Sequence, residues 1–163
     1  MDTTGKDAQP VSEGAVVTFP KAPWHLWVVG AVSLLWNCFG ALHYTMSQLR
    51  HPAYLKAVTK DMGISPEQMA AFIDSFPLWM HAFWALAVWG ALIGSILLLA
   101  RSRFAVWAFG LSLAGLAVTQ LYQAMTPAPA WAEQAAIMTL AIWIIAIGLL
   151  VYAVAMRRRG VLR

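Results

Sequence analysis

What this chain of 163 residues lacks is charge where it is most apolar. Four stretches, roughly 24–47, 78–100, 104–124 and 134–156, contain no Lys, Arg, Asp or Glu. An ionisable group inside a span marks most ion pathways and coupled pumps, so this absence argues against proton-coupled transport. Cysteine is nearly missing as well: Cys38, inside the first stretch, is the only one, which excludes an intrachain disulfide. Nor is there a Ser/His/Asp constellation, a pair of intramembrane carboxylates, a glycine-rich phosphate loop or a metal-ligand spacing. The expectation is a non-catalytic protein with no catalytic residue, no metal and no cofactor.

What is there is apolar length. About twenty residues at 1.5 Å rise match a hydrocarbon core of about 30 Å, so each stretch is long enough to span a bilayer. The chain is 61% hydrophobic and 11% charged, with a mean hydropathy of +0.66. The expected fold is therefore all-α, a membrane bundle of four transmembrane helices occupying residues 22–156. A leader over 1–21 precedes it, and a basic tail over 157–163 follows. The leader has no apolar core and reads as neither a cleavable signal peptide nor a transit segment, so the first span is expected to act as an uncleaved signal-anchor.

The net charge of +4 raises nucleic acid as a partner, but the basic residues collect at segment ends rather than along one face, which excludes it. With the leader inside, Lys6, Lys21, Arg101, Arg103, Arg157, Arg158, Arg159 and Arg163 fall on the cytoplasmic side. Only Arg50, Lys56 and Lys60 fall outside, as the positive-inside rule requires. Trp24, Trp27, Trp79, Trp107 and Trp131 fall near the interfaces, where indoles prefer to sit.

Residues 48–77 form the one sizeable external segment. Pro52 opens a short helix carrying Leu55 and Val58, and Gly63 suits its end. Ser65-Pro66-Glu67-Gln68 then offers an N-cap hydroxyl, Pro at the first helical position and Gln at the third, a capping box. Met69, Phe72, Ile73 and Phe76 follow at helical spacing. Too short to cross, this amphipathic piece is expected to cap the bundle between the first and second spans.

Small residues recur on one stripe of the second span (Ala87, Gly90, Ala91, Gly94) and of the third (Ala108, Ser112, Gly115, Thr119). Such stripes let backbones approach when lipid and core are equally apolar. They serve packing within the bundle, or against a second copy or another membrane protein; the lipid bilayer is the remaining partner. Polar side chains gather in the outward halves: Asn37, His43 and Tyr44 on the first span, His81 on the second, Thr119, Gln120 and Gln123 on the third, with Glu133 and Gln134 opening the fourth. A buried amide in hydrocarbon must find a partner, so Asn37 faces the interior. Three readings follow: interface groups with a bonded Asn37, a ligand pocket beneath the cap, or a bis-His haem site between His43 and His81, two histidines at similar depth on adjacent helices.

The strings from Trp36 to Gln48, Ser65 to Gln68, and Phe76 through Ser95 resemble a family of small four-span bacterial membrane proteins, some of them labelled sugar transporters. The likeness is best over residues 24–110. It implies a bacterial inner-membrane protein and adds no catalytic residue. The family carries an acidic residue where this chain has His43. The sequence leads to an accessory or binding protein acting through helix packing, ahead of a carrier for a small neutral or amphipathic solute.

Overall fold

A computed structural model of the protein describes residues 21–60, 62–127, 129 and 136–163. The leader up to residue 20, Trp131, Glu133 and Gln134 lie outside them. The described chain runs as α1 (Trp24–Gln48), α2 (Pro52–Thr59), α3 (Pro66–Asp74), α4 (Leu78–Leu99), α5 (Ala105–Met125) and α6 (Ala136–Arg158). The all-α architecture is as expected, and four helices, α1, α4, α5 and α6, are long and apolar enough to cross a membrane. Pro23 and Pro77, with φ near −65° and extended ψ, stand just before α1 and α4 and lack the N–H that a helix start would leave unpaired.

The helices pack in the order α1, α4, α5, α6, with α2 and α3 forming a cap at one end of the bundle. The opposite end, which holds the α4–α5 turn and the C-terminal residues, is called here the tail end. The closest pairing is α4 with α5. A Cβ built on Gly115 would lie 2.7 Å from the Phe83 carbonyl oxygen and 2.9 Å from the Ala87 nitrogen, so only glycine admits this approach. One turn toward the tail end, the buried Ser112 hydroxyl donates to the Ala87 carbonyl at 2.5 Å, and the Phe109 ring then packs against Gly94. Both small-residue stripes therefore meet in one seam. On the other face of α4, Leu99 packs over Gly30 of α1.

The apolar core sits at the tail end, where Leu26, Leu98, Ala105, Phe109, Leu149, Ala153 and Met156 are buried together. Here the structure extends the expectation of a free basic tail. Arg157 and Arg158 continue α6, and the chain then turns through Gly160 at φ +69°. Gly160 N–H donates to the Arg157 carbonyl and Val161 N–H to the Met156 carbonyl, each at 3.0 Å, the Schellman closure of a helix end. Val161 and Leu162 are buried in the core. Arg163 bonds the α4–α5 turn through both backbone groups, donating to the Arg101 carbonyl at 2.7 Å and accepting from Arg103 N–H at 2.6 Å. The last residues thus clasp the turn between α4 and α5. Toward the cap end of α6, Ile137, Leu140 and Ile144 are more than 60% exposed.

The seam makes a testable demand. Gly115→Ala gains up to ~1 kcal/mol of helix propensity but meets backbone atoms that cannot rotate away, at the upper end of the ~1–3 kcal/mol usual for overpacking. It is expected to lower the thermal midpoint of the purified protein in detergent. Gly110→Ala, on the same helix with open space around it, is expected to hold or raise the midpoint.

Candidate functional site

The polar residues anticipated from the sequence are distributed over three separate places. Asn37 lies at the middle of α1 rather than in one half of it. Its side-chain amide donates to Ser95 Oγ at 2.9 Å and reaches the Ala91 carbonyl at 3.4 Å, while Ser95 Oγ donates to that same carbonyl at 3.0 Å. The stripe that brings it there runs through Gly30, Ser33, Asn37 and Ala41, all buried. Gly40 lies off this face and has open space where its side chain would be.

His43 and Tyr44 stand nearer the cap, on either side of Trp84. His43 Nδ1 is 2.6 Å from the Tyr54 hydroxyl of α2, and its ring lies 6.5 Å from that of Trp84. Tyr44 packs edge-on to Trp84 at 5.1 Å. Burial pushes the Tyr54 phenol above its ordinary value, which keeps it a neutral hydroxyl for this bond. The link ties α2 to the flank of α1.

His81 belongs to a third group. The Gln48 side-chain amide hydrogen-bonds His81 Nδ1 at 2.9 Å. Over this pair lies an aromatic lid: Phe76 is 6.1 Å from the His81 ring and 6.3 Å from Tyr122, which in turn meets Trp79 edge-on at 5.2 Å. Phe72 of α3 meets Phe76 edge-on at 4.8 Å. Arg50 fastens the cap here, its guanidinium bonding the Asp74 carboxylate and, in addition, the Ser47 carbonyl. Thr119 is buried and donates back to the Leu116 carbonyl of its own helix at 2.9 Å. Gln120 is half-buried and Gln123 exposed.

This register bears directly on the two histidines. Gln48 and His43 are separated on α1 by a turn of about 140°. His81 bonds Gln48 and His43 bonds Tyr54, so the two histidines that the sequence placed at similar depth are held by different partners. Among the described residues no group of three or more His, Cys, Asp and Glu side chains stands close enough to hold a metal ion.

Ser95, the partner of Asn37, and the pair His25–Tyr152 were not anticipated. His25 Nδ1 lies 2.5 Å from the Tyr152 hydroxyl and joins α1 to α6 at the tail end. The signal for it was present: Tyr152 is a lone phenol in an otherwise apolar run, within the last two turns of α6, and His25 lies in the first turn of α1. Among the described residues, no buried side-chain nitrogen or oxygen lacks a hydrogen-bond partner. The chain matches no known protein family, no curated protein and no solved structure.

Two measurements check the local chemistry. Interhelical hydrogen bonds between transmembrane helices average about 0.6 kcal/mol and reach about 1.7 kcal/mol. A double-mutant cycle of Asn37→Leu with Ser95→Ala, read by unfolding in detergent, is expected to give a coupling within that range; a coupling of zero would show that the contact contributes nothing. At α3, the Ser65 hydroxyl, with help from the backbone, holds the Glu67 carboxyl below its ordinary value. The stability it brings is present above the normal glutamate range and disappears as pH falls through the depressed value. Carboxyl-labelled NMR titration is expected to place Glu67 below an ordinary glutamate, and Ser65→Ala to move it back up.

Proposed function

We propose that the protein is a non-catalytic, multi-pass accessory protein of the bacterial inner membrane, with both termini cytoplasmic, acting by lateral packing of its helices on a second copy or another membrane protein. One observation carries this reading: four polar side chains within the spans are bonded across to a neighbouring helix. A carrier for a neutral solute needs donors and acceptors aimed into a path, to replace the water that the solute leaves behind. Here Asn37 is engaged by Ser95, His81 by Gln48, His25 by Tyr152 and Ser112 by Ala87. These contacts hold helices together, and each involves two different helices. The carrier is the weaker reading for the same reason.

The surface supports lateral contact. Over its half nearest the cap, α6 leaves Ile137, Met138, Leu140 and Ile144 exposed. In lipid such a face gains no hydrophobic free energy by leaving acyl chains, so association there rests on shape and on close backbone approach. Purification in mild detergent followed by mass measurement of the intact particle tests the proposal. The expected result is a dimer or a reproducible complex with one other membrane protein. A lone monomer with no protein associated would sink it.

A further inference from the structure

The tail end of α6 carries a feature that the packing reading does not use. Leu150, Val151, Val154, Ala155 and Arg158 line a groove of about 360 Å³ on the outside of the bundle. Its walls are aliphatic, and Leu150 and Ala155 rest on the buried core, which gives it a firm floor. Arg158, at the last position of α6, closes it at the level where the span ends. From Leu150 to Arg158 the helix rises about 12 Å, against about 15 Å for one leaflet of the hydrocarbon core. Hydrocarbon thus meets hydrocarbon along the groove, and the guanidinium stands at headgroup height.

Among the described residues, the charged side chains around it have one sign. Arg101, Arg103, Arg157, Arg158, Arg159 and Arg163 all lie at this end. Among the described residues the carboxylate side chains are Glu67 and Asp74, both in the cap, and Asp74 is taken by Arg50. We infer that the α6 groove binds one anionic phospholipid, its acyl chain along Val151 and Val154 and its phosphate on Arg158. Arg158 offers a planar fork of donors suited to two phosphate oxygens, and Arg157 and Arg159 add field without needing a fixed geometry. A second copy is the poorer occupant. Symmetric pairing through this face would set Arg158 against Arg158, whereas a phosphodiester complements it. The inference stands apart from the accessory reading, which concerns the opposite half of α6.

Native mass spectrometry of the full chain in detergent, with equal phosphatidylglycerol and phosphatidylcholine added, tests it. Phosphatidylglycerol is expected to be retained in preference. Arg158→Gln is expected to reduce its occupancy about fivefold, which is about 1 kcal/mol, the usual effect of one basic residue at an anionic surface. Val151→Trp, which fills the groove from an exposed position, is expected to reduce it as well. Lys56→Gln, an equal loss of charge in the cap, is expected to leave it unchanged. Equal retention of the two lipids would overturn the inference, as would equal effects of Arg158→Gln and Lys56→Gln. Inorganic phosphate bound as well as the lipid would show an anion site with no use for the groove. A dimer that Val151→Trp abolishes, with lipid binding intact, would assign the face to a second copy instead.

Discussion

Where Gly115 brings the α5 backbone against Phe83 and Ala87, two helices meet so closely that the side chains beyond them have no freedom to choose another arrangement. In lipid this closeness substitutes for the hydrophobic effect, because an apolar surface gains nothing by exchanging acyl chains for leucine. Dispersion between surfaces in contact and a few interhelical hydrogen bonds must hold the bundle. The seam supplies both: glycine for the approach, and the Ser112 hydroxyl on the Ala87 carbonyl for the bond. α1 then builds on the outer face of α4 through Gly30, Asn37 and Gln48, and α6 builds on α5. Each further helix depends on a surface that the seam has already set.

The two ends of the bundle are closed by the same device. α1 and α4 both finish in a residue at positive φ, Arg50 at 51° and Arg101 at 57°, with the Schellman pair of hydrogen bonds behind each. Left-handed backbone costs about 1–2 kcal/mol for a residue with a Cβ, and glycine is the usual choice. Arginine stands there because its side chain then does what glycine cannot. Arg50 reaches Asp74 and fastens the cap, and Arg101 reaches the Val161 carbonyl at 3.2 Å and fastens the C-terminal clasp. Gly160, which has no such partner to reach, is glycine. Local strain is thus offset by contacts that join segments far apart in the chain.

The fold was legible because its signals are local. A charge-free run states its own length, Ser65-Pro66-Glu67-Gln68 states its own helix start, and both capping bonds of that box are present. The small-residue stripes were legible as faces, and Gly90, Gly94 and Ser112 lie where the stripes met. The grouping of polar residues was much less so. Sequence shows the height of a side chain along a helix but not the register or rotation of its neighbour. His43 and His81 therefore looked like a pair, whereas His81 bonds Gln48 and His43 bonds Tyr54. Asn37 was expected to need a partner, and it has one. That the partner is Ser95 depends on how α4 slides against α1, which no local pattern encodes. The burial of Val161 and Leu162 was hidden for a related reason: three arginines before them read as a solvated tail, whereas Gly160 turns the chain back.

A protein whose interior polarity is spent on its own helices has its chemistry at the surface. In this chain that surface is uneven. The cap end is held by neutral pairs, aromatic rings and one ion pair, and it presents little net charge among its described contacts. The tail end concentrates six arginines around the buried apolar core. Arginines so placed repel one another, and the helix C-terminus of α6 relieves only those within its last turn. Placed at an anionic membrane surface, the same cluster becomes favourable at about 1 kcal/mol per residue. The arrangement that would weaken the protein in a neutral solvent would therefore favour one orientation and one depth in a charged bilayer, and the clasp joins the C-terminal residues to the α4–α5 turn where that force would act.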